Sequence, residues 1–317
     1  MNIAFDPSTA ELRQVKYEVH AFYKFVEVED PIALREQLLE LGSRFSLCGT
    51  ILVAPEGINS TVAALPEAMR GFNAELRKDA RFADLEAKVS SADDQPFYRF
   101  KVRLKKEIVT LGVPEVDPVN EVGTYVQAED WNQLIQSPDV VLVDTRNDYE
   151  CAIGRFKGAV DPNTQSFREF PNWVEQNLAD KKKTKVAMYC TGGIRCEKAT
   201  ALLRQQGFEQ VFHLKGGILK YLEEVDPEES LWEGSCFVFD NRVALEHGLA
   251  ESEYVNCPGC RHPLSEADRK HPKYEAGVAC ARCADTTDPA TLANRRERHR
   301  QIQLAKSRGE PHMGRKA

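Results

Sequence analysis

The sequence predicts a multidomain chain of mixed α/β and α+β class, and three observations carry that expectation. Hydrophobic periodicity alternates between strand and helix in two different orders, one on either side of a Pro- and Asp-containing linker. A Cys-Thr-Gly-Gly-Ile-Arg loop falls between an apolar strand and a helix. Two Cys-x-x-Cys pairs near the C-terminus precede a basic stretch. These features divide the chain into segments 1–113, 120–227, 228–290 and 291–317.

The first segment reads strand-helix-strand-strand-helix-strand. Val19 to Phe25 suits a strand, and Asp30-Pro31 supplies an N-cap with Pro at the first helical position. Leu34, Leu38 and Leu41 form the apolar stripe of that helix, which is expected to end at Gly42. Gly49 to Ala54 and Ile58 to Ala63 flank a Pro55-Glu56-Gly57 turn as a hairpin. A helix from Pro66 buries Met69, Phe72 and Leu76. Tyr98, Phe100, Val102 and Leu104 then alternate with Arg99, Lys101, Arg103 and Lys105, which marks the closing strand. That order suits a ferredoxin-like βαββαβ domain. The basic row is either a solvated sheet face or an RNA contact.

Pro114, Asp117 and Pro118 mark the linker. Beyond Tyr125 the order becomes doubly wound α/β: Val140 to Val143, Val186 to Tyr189 and Val211 to Leu214 are apolar strands of the buried parallel type. Phe167, Phe170, Trp173, Val174 and Leu178 suit one intervening helix; Ala199, Leu202 and Leu203 suit another, stopped by Gly207. Such sheets bind ligands at the carboxyl ends of their strands.

Cys190 falls at such an end. Gly192 and Gly193 let the backbone curl so that the amides of Thr191, Gly192, Gly193 and Ile194 converge, and the following helix adds its positive end. Arg195 adds a fixed cation. All of this favours a thiolate, the reactive form. Cys196 falls in the first helical turn, either as a resolving thiol for Cys190 or as a small buried residue. Asp144 and Arg146 suit a structural ion pair or a loop-bracing hydrogen bond, Cys236 a structural position in a strand or extended segment, and Cys48 and Cys151 core filling.

Over roughly Tyr125 to Glu224 the chain resembles the rhodanese superfamily. The resemblance rests on Val143-Asp144-Thr145-Arg146 with Glu150, Gly154-Arg155-Phe156-Lys157-Gly158-Ala159, the Cys190 loop and Leu214-Lys215-Gly216-Gly217-Ile218. Arg155 and Tyr221 stand where many rhodaneses have His and Trp. The resemblance implies that Cys190 forms a persulfide. Related phosphatases place one more residue between Cys and Arg, so this tighter loop suits one sulfur atom better than a phosphate.

Cys257-Pro258-Gly259-Cys260 and Cys280-Ala281-Arg282-Cys283 are two knuckles with the spacing of a structural zinc site. Cys257, Cys260, Cys280 and Cys283 would close it, with His262 and His271 outside. The stretch that follows carries Arg295, Arg296, Arg298, Arg300, Lys306 and Arg308 with Glu297 opposing them. Leu292, Ile302 and Leu304 are too sparse to demand a core-facing helix, so the tail reads as disordered and solvated or as an RNA-phosphate contact.

At 317 residues with a net charge of −7, the chain is long enough for several cores and too acidic for general nucleic-acid binding. From Glu251 onward, however, 13 Lys and Arg face 9 Asp and Glu, which leaves room for local basic surfaces. No apolar run is long enough to span a bilayer, and Met1-Asn2-Ile3-Ala4-Phe5-Asp6 lacks the basic start and apolar stretch of a signal peptide. Nine cysteines without such a signal point to reduced thiols in the cytoplasm.

Taken whole, the order of ferredoxin-like domain, rhodanese domain and cysteine-rich basic tail resembles the bacterial tRNA uridine hydroxylase family. The stretches that carry this are Pro55-Glu56-Gly57-Ile58-Asn59, Tyr189 through Ala199, and Cys236-Phe237-Val238-Phe239-Asp240-Asn241-Arg242-Val243. The resemblance implies hydroxylation of the wobble uridine of tRNA at carbon 5, with molecular oxygen as co-substrate. No flavin fingerprint, haem site or two-His-one-carboxylate iron site is evident. The alternatives are a sulfurtransferase working through Cys190 and a non-catalytic RNA- or protein-binding module, against which the intact Cys190 and Arg195 weigh.

Overall fold

A computed structural model describes residues 17–308. The readings made on Met1 to Asp6 and on the tail beyond Arg308 lie outside the described residues.

The N-terminal elements are β1 (Tyr17–Phe25), α1 (Pro31–Arg44), β2 (Cys48–Ala54), β3 (Gly57–Ala64), α2 (Pro66–Leu76), β4 (Lys88–Ala92) and β5 (Phe100–Leu104). Asp30 caps α1, its carboxylate accepting from the amides of Ile32 and Ala33 at 3.0 and 2.9 Å. The sheet order is β4-β1-β3-β2-β5, antiparallel except for β5, which runs parallel to β2. The first four strands are the ferredoxin-like sheet. Met69, Phe72 and Leu76 of α2 and Leu34 and Leu38 of α1 pack on the sheet residues Phe22, Ile51, Val53, Ile58 and Val62.

Two expectations are corrected here. The strand at 100–104 does not close the ferredoxin-like order. Lys88–Ala92 does, and its mostly small, polar sequence gave too little hydrophobic signal to be seen. The basic-apolar strand is a fifth, edge strand, which is why Leu104 stays exposed while Val102 is buried. Helix α1 also runs past Gly42 to Arg44. Gly42 is there for space rather than as a stop: a Cβ would meet the Phe100 ring at 2.2 Å.

The central elements are β6 (Thr124–Val126), α3 (Ala128–Ile135), β7 (Val140–Asp144), α4 (Asp148–Cys151), β8 (Gly154–Phe156), α5 (Phe170–Asn177), β9 (Lys185–Tyr189), α6 (Ile194–Gln205), β10 (Val211–Leu214) and α7 (Gly217–Glu224). Their parallel sheet has the order β6-β10-β9-β7. Trp131 of α3 and Ile218 and Tyr221 of α7 cover one face. Phe170 and Val174 of α5, with Ala199 and Leu203 of α6, cover the other. Burial on both faces explains the continuous apolar strands.

The chain continues as β11 (Trp232–Gly234), β12 (Cys236–Phe237), β13 (Ala244–Leu245), β14 (Val255–Asn256), β15 (Pro263–Leu264), α8 (Glu266–Arg269) and α9 (Pro289–Ser307). β11 pairs with β8, and β12 with β13. The expectation of a disordered tail is corrected as far as residue 307. Asp288 caps α9 by accepting from the Thr291 amide at 2.9 Å, and Pro289 opens it. None of its residues is fully buried, which is why core periodicity did not reveal it. Among the described residues, no helix is long and apolar enough to cross a membrane.

Candidate functional site

Strand β9 delivers Cys190 to a tight loop that α6 continues. Gly193 caps α6 at φ 100°, and its amide donates to the Cys190 Sγ at 3.1 Å. The loop is braced from the other motif: the amides of Ile218 and Leu219, at the start of α7, donate to the carbonyls of Cys190 and Thr191 at 3.0 and 3.1 Å. Gly217 permits this closeness, since a Cβ there would meet the Cys190 carbonyl oxygen at 2.5 Å.

Burial alone would raise the Cys190 thiol. The hydrogen bond from the Cys196 thiol, the charge of Arg195 and the amides of Cys196 and Arg195 outweigh it and hold Cys190 well below the ordinary thiol value. Cys196 is pushed the other way, by burial and by the neighbouring Cys190, and also contacts Thr145 Oγ1 at 3.6 Å. The pair is therefore asymmetric: one thiolate, one thiol donor.

Arg195 is not a free cation. Its Nη1 and Nη2 donate to the two oxygens of the buried Glu150 at 2.6 and 2.7 Å, and Thr191 Oγ1 donates to the same carboxylate at 3.1 Å. Arg195 thus fixes the loop and lends its charge to Cys190 at short range while Glu150 offsets that charge farther out. Asp144 and Arg146 form the structural pair expected of them, fully buried, with Arg146 also donating to the carbonyls of Glu150 and Gly154. Cys48, Cys151 and Cys236 are buried, and burial pushes the Cys236 thiol up to about 12.

The N-terminal sheet closes over this loop. Val19, Ala21, Tyr23, Thr50, Leu52 and Lys88, on the sheet face away from α1 and α2, line a cavity of about 770 Å³ whose opposite wall includes Cys190, Gly192 and Arg195. Val238, Phe239, Asp240 and Arg242 contribute to its rim. Sequence reasoning did not place the groups that hold this arrangement. Lys198 sits between Glu56 and Glu107 at 2.8 and 2.7 Å, joining α6 to the N-terminal part of the chain. Glu197 accepts from the Tyr23 and Tyr125 hydroxyls at 2.8 and 2.7 Å, and its carboxyl is raised, chiefly by burial. Arg242 pairs with Asp240 and donates to Ser90 Oγ at 2.7 Å, tying the Cys236–Val243 stretch to β4. Arg195 through Leu203 are buried without a break, so the charged Glu197 and Lys198 lie inside the protein, which their composition does not announce.

The four cysteines also come together. The sulfurs of Cys257 and Cys283 lie 3.7 Å apart, as do those of Cys260 and Cys280, and all four fall within 4.8 Å of one another. Four thiolates around a tetrahedral zinc would be about 3.8 Å apart, so the donor set fits such an ion. Gly259 leaves room for Arg295 and Cys283, since a Cβ would meet Arg295 Nη1 at 2.4 Å and Cys283 Sγ at 3.1 Å. His262 and His271 are not part of the cluster.

The basic residues fare unevenly. Arg99, Lys101, Arg103 and Lys105 are exposed, with Lys105 on the cavity wall. Arg296 is taken by Glu275 and Arg300 by Glu297, while Arg295 reaches the Val278 carbonyl and Arg298 is exposed.

Residues 17–108 match the family described as UPF0176 acylphosphatase like domain, and residues 127–224 match the Rhodanese-like domain. The chain is similar to a tRNA uridine(34) hydroxylase of Agrobacterium fabrum, 55% identical over 297 residues that cover 94% of this chain and 95% of the relative. It is also similar to a tRNA uridine(34) hydroxylase of Teredinibacter turnerae, 54% identical over 301 residues, covering 95% and 94%. Among solved structures, the rhodanese-like domain of an Anabaena sp. protein matches at TM-score 0.30 and 23% identity, covering 36% of this chain and 80% of that one.

Proposed function

Because the chain belongs to the tRNA uridine(34) hydroxylase family, we propose that it converts the wobble uridine of tRNA to 5-hydroxyuridine at the cavity beside Cys190. The observation that carries this reading is a stabilised thiolate on the wall of a cavity large enough for a nucleotide. An anticodon wobble base is already single-stranded, so moving it out of its stack into such a cavity costs little.

Cys190 is the reacting group in this proposal. Its thiolate adds to carbon 6 of uracil, the S–C bond forms, and the displaced π electrons leave carbon 5 electron-rich in an enolate whose charge rests largely on O4. Carbon 5 then takes one atom of molecular oxygen, the second leaving as water with two electrons from an external reductant, and loss of the carbon 5 proton and of the Cys190 thiolate from carbon 6 restores the double bond of 5-hydroxyuridine. Thr191, Gly192, Gly193 and Ile194 shape the loop, Arg195 and Glu150 lock it, and Cys196 acts as hydrogen-bond donor to Cys190.

We assign zinc to Cys257, Cys260, Cys280 and Cys283, where it holds together a segment with little core of its own. RNA contacts fall to Lys101 and Arg103 on β5, to Arg99 and Lys105 flanking it, and to Arg298 on α9, with Arg295, Arg296 and Arg300 first serving the local packing. The segments 1–113, 120–227, 228–290 and 291–317 remain our division of the chain, and the cytoplasm its place of action.

A tRNA carrying 5-fluorouridine at the wobble position tests the chemistry. The wild-type protein is expected to form a covalent adduct and Cys190→Ser none. Hydroxylation that proceeds without any adduct would rule out attack by Cys190.

A further inference from the structure

Arg195 supplies the positive charge that the loop motif advertises, yet both of its terminal nitrogens are engaged by Glu150. A reaction that builds negative charge on an oxygen needs a donor or cation that is still free when the substrate arrives. Lys88 meets that description. It stands on β4 opposite Ala21, on the sheet face that roofs the cavity, and its side chain lines the cavity together with Cys190. Its ammonium lies 5.1 Å from the centre of the Tyr23 ring. Among the described residues it makes no hydrogen bond or ion pair, whereas Lys198 of α6 holds two carboxylates.

The position is unfavourable for an isolated ammonium. Lys88 is half-buried, and desolvation lowers its pKa while Cys190 and Glu197 act to raise it. An unpartnered cation in such a place weakens the folded state, and an oxygen bearing negative charge inside the cavity would satisfy it. We propose that Lys88, from the N-terminal sheet, is the cation that contacts the base in the Cys190 cavity, holding the carbonyl oxygen on which charge develops. The active site is then composite: the nucleophile comes from the rhodanese-like part and the charge-stabilising group from the ferredoxin-like part.

This rests on the reading of Cys190 as the group that attacks uracil, and two measurements on the full-length protein separate the two claims. The first is the rate of adduct formation with 5-fluorouridine-containing tRNA as a function of tRNA concentration. Lys88→Met is expected to lower the maximal rate by about 100-fold, in the range found for loss of one charge-stabilising donor, with the half-saturating concentration little changed. Lys88→Arg should recover most of that rate. A rate within about 3-fold of wild type in Lys88→Met, or a loss expressed only in the half-saturating concentration, would overturn the proposal, the latter by placing Lys88 on the RNA backbone.

The second measurement needs no substrate and decides the matter if wild-type protein forms no adduct, an outcome that counts against Cys190 attack rather than against Lys88. Iodoacetamide alkylation of Cys190 is followed against pH. The charged groups at the thiol are Arg195, Glu150, Glu197 and Lys88, with Cys196, Tyr23 and Tyr125 as titratable neighbours. Removing the Lys88 charge should move the alkylation midpoint to higher pH, and an unchanged midpoint would contradict a cation facing Cys190. Thermal melting identifies a misfolded variant, in which case Lys88→Gln is read by the same criteria.

Discussion

The Cys190 loop and the four-cysteine cluster both bring thiols together, but in opposite surroundings. At Cys190 the backbone amides, Arg195 and the Cys196 thiol converge on one sulfur and hold it as a thiolate, while Cys196 remains a thiol. At the cluster four sulfurs face one another with little to separate their charges. Burial, with the neighbouring Cys257, pushes the Cys260 thiol up to about 12. The first region has built the counter-charge for its thiolate into the fold. The second lacks one until a cation enters. The same residue type thus becomes a nucleophile in one place and half of a metal site in the other, and the difference lies in who supplies the positive charge.

The largest effect that follows is on the cluster. Purified protein is expected to hold one zinc ion per chain, and stripping it should unfold the segment around the two knuckles, since such sites contribute roughly 10 kcal/mol to local folding. Elemental analysis and amide hydrogen exchange check this. A metal-free protein with that segment still protected would show that packing alone suffices. The Cys190 fold should not change on chelation, because its counter-charge is permanent.

Breaking the built-in charge should be costly in the first region. Glu150→Gln leaves Arg195 buried without its carboxylate, and chemical denaturation should report a loss of about 3 kcal/mol or more. A loss near zero would mean that water reaches the guanidinium and that the loop is not locked by this pair.

A smaller effect sharpens the contrast by pH. Cys190 should be alkylated readily at neutral pH, with its rate falling only as pH drops through its lowered folded value, whereas Cys260 of metal-free protein should react only at alkaline pH. The sign for stability is that of any acid whose pKa is depressed on folding. The contribution of the Cys190 thiolate is complete above the unfolded value and is lost as pH falls through the folded one. Equal reactivity at both sites would remove the distinction.

Much of this was legible in the chain. The glycines after Cys190 and the spacing of the two knuckles report local backbone chemistry, and local chemistry is written in adjacent residues. Met69, Phe72 and Leu76 announced the α2 core face because their spacing is that of one helix face. What stayed hidden depended on partners distant in sequence. Glu150 lies 45 residues from Arg195, and nothing in either stretch says that the two neutralise each other. Glu107 lies 91 residues from Lys198. The weak strand Lys88–Ala92 took its place from pairing with β1 rather than from its own composition, and with it Lys88 entered the cavity unnoticed. Helix α9 formed where capping by Asp288 and Pro289 replaced the missing apolar face.

The most direct test of the account is nucleoside mass spectrometry of tRNA from cells in which this gene is replaced by its Cys190→Ser or Cys196→Ser form. If Cys190 is the reacting thiolate and Cys196 only its hydrogen-bond donor, 5-hydroxyuridine and its derivatives disappear with Cys190→Ser. With Cys196→Ser, whose hydroxyl can still donate, they largely remain. Loss of a thiolated nucleoside instead would point to sulfur transfer through the same loop, and wild-type levels of 5-hydroxyuridine in Cys190→Ser would contradict the account.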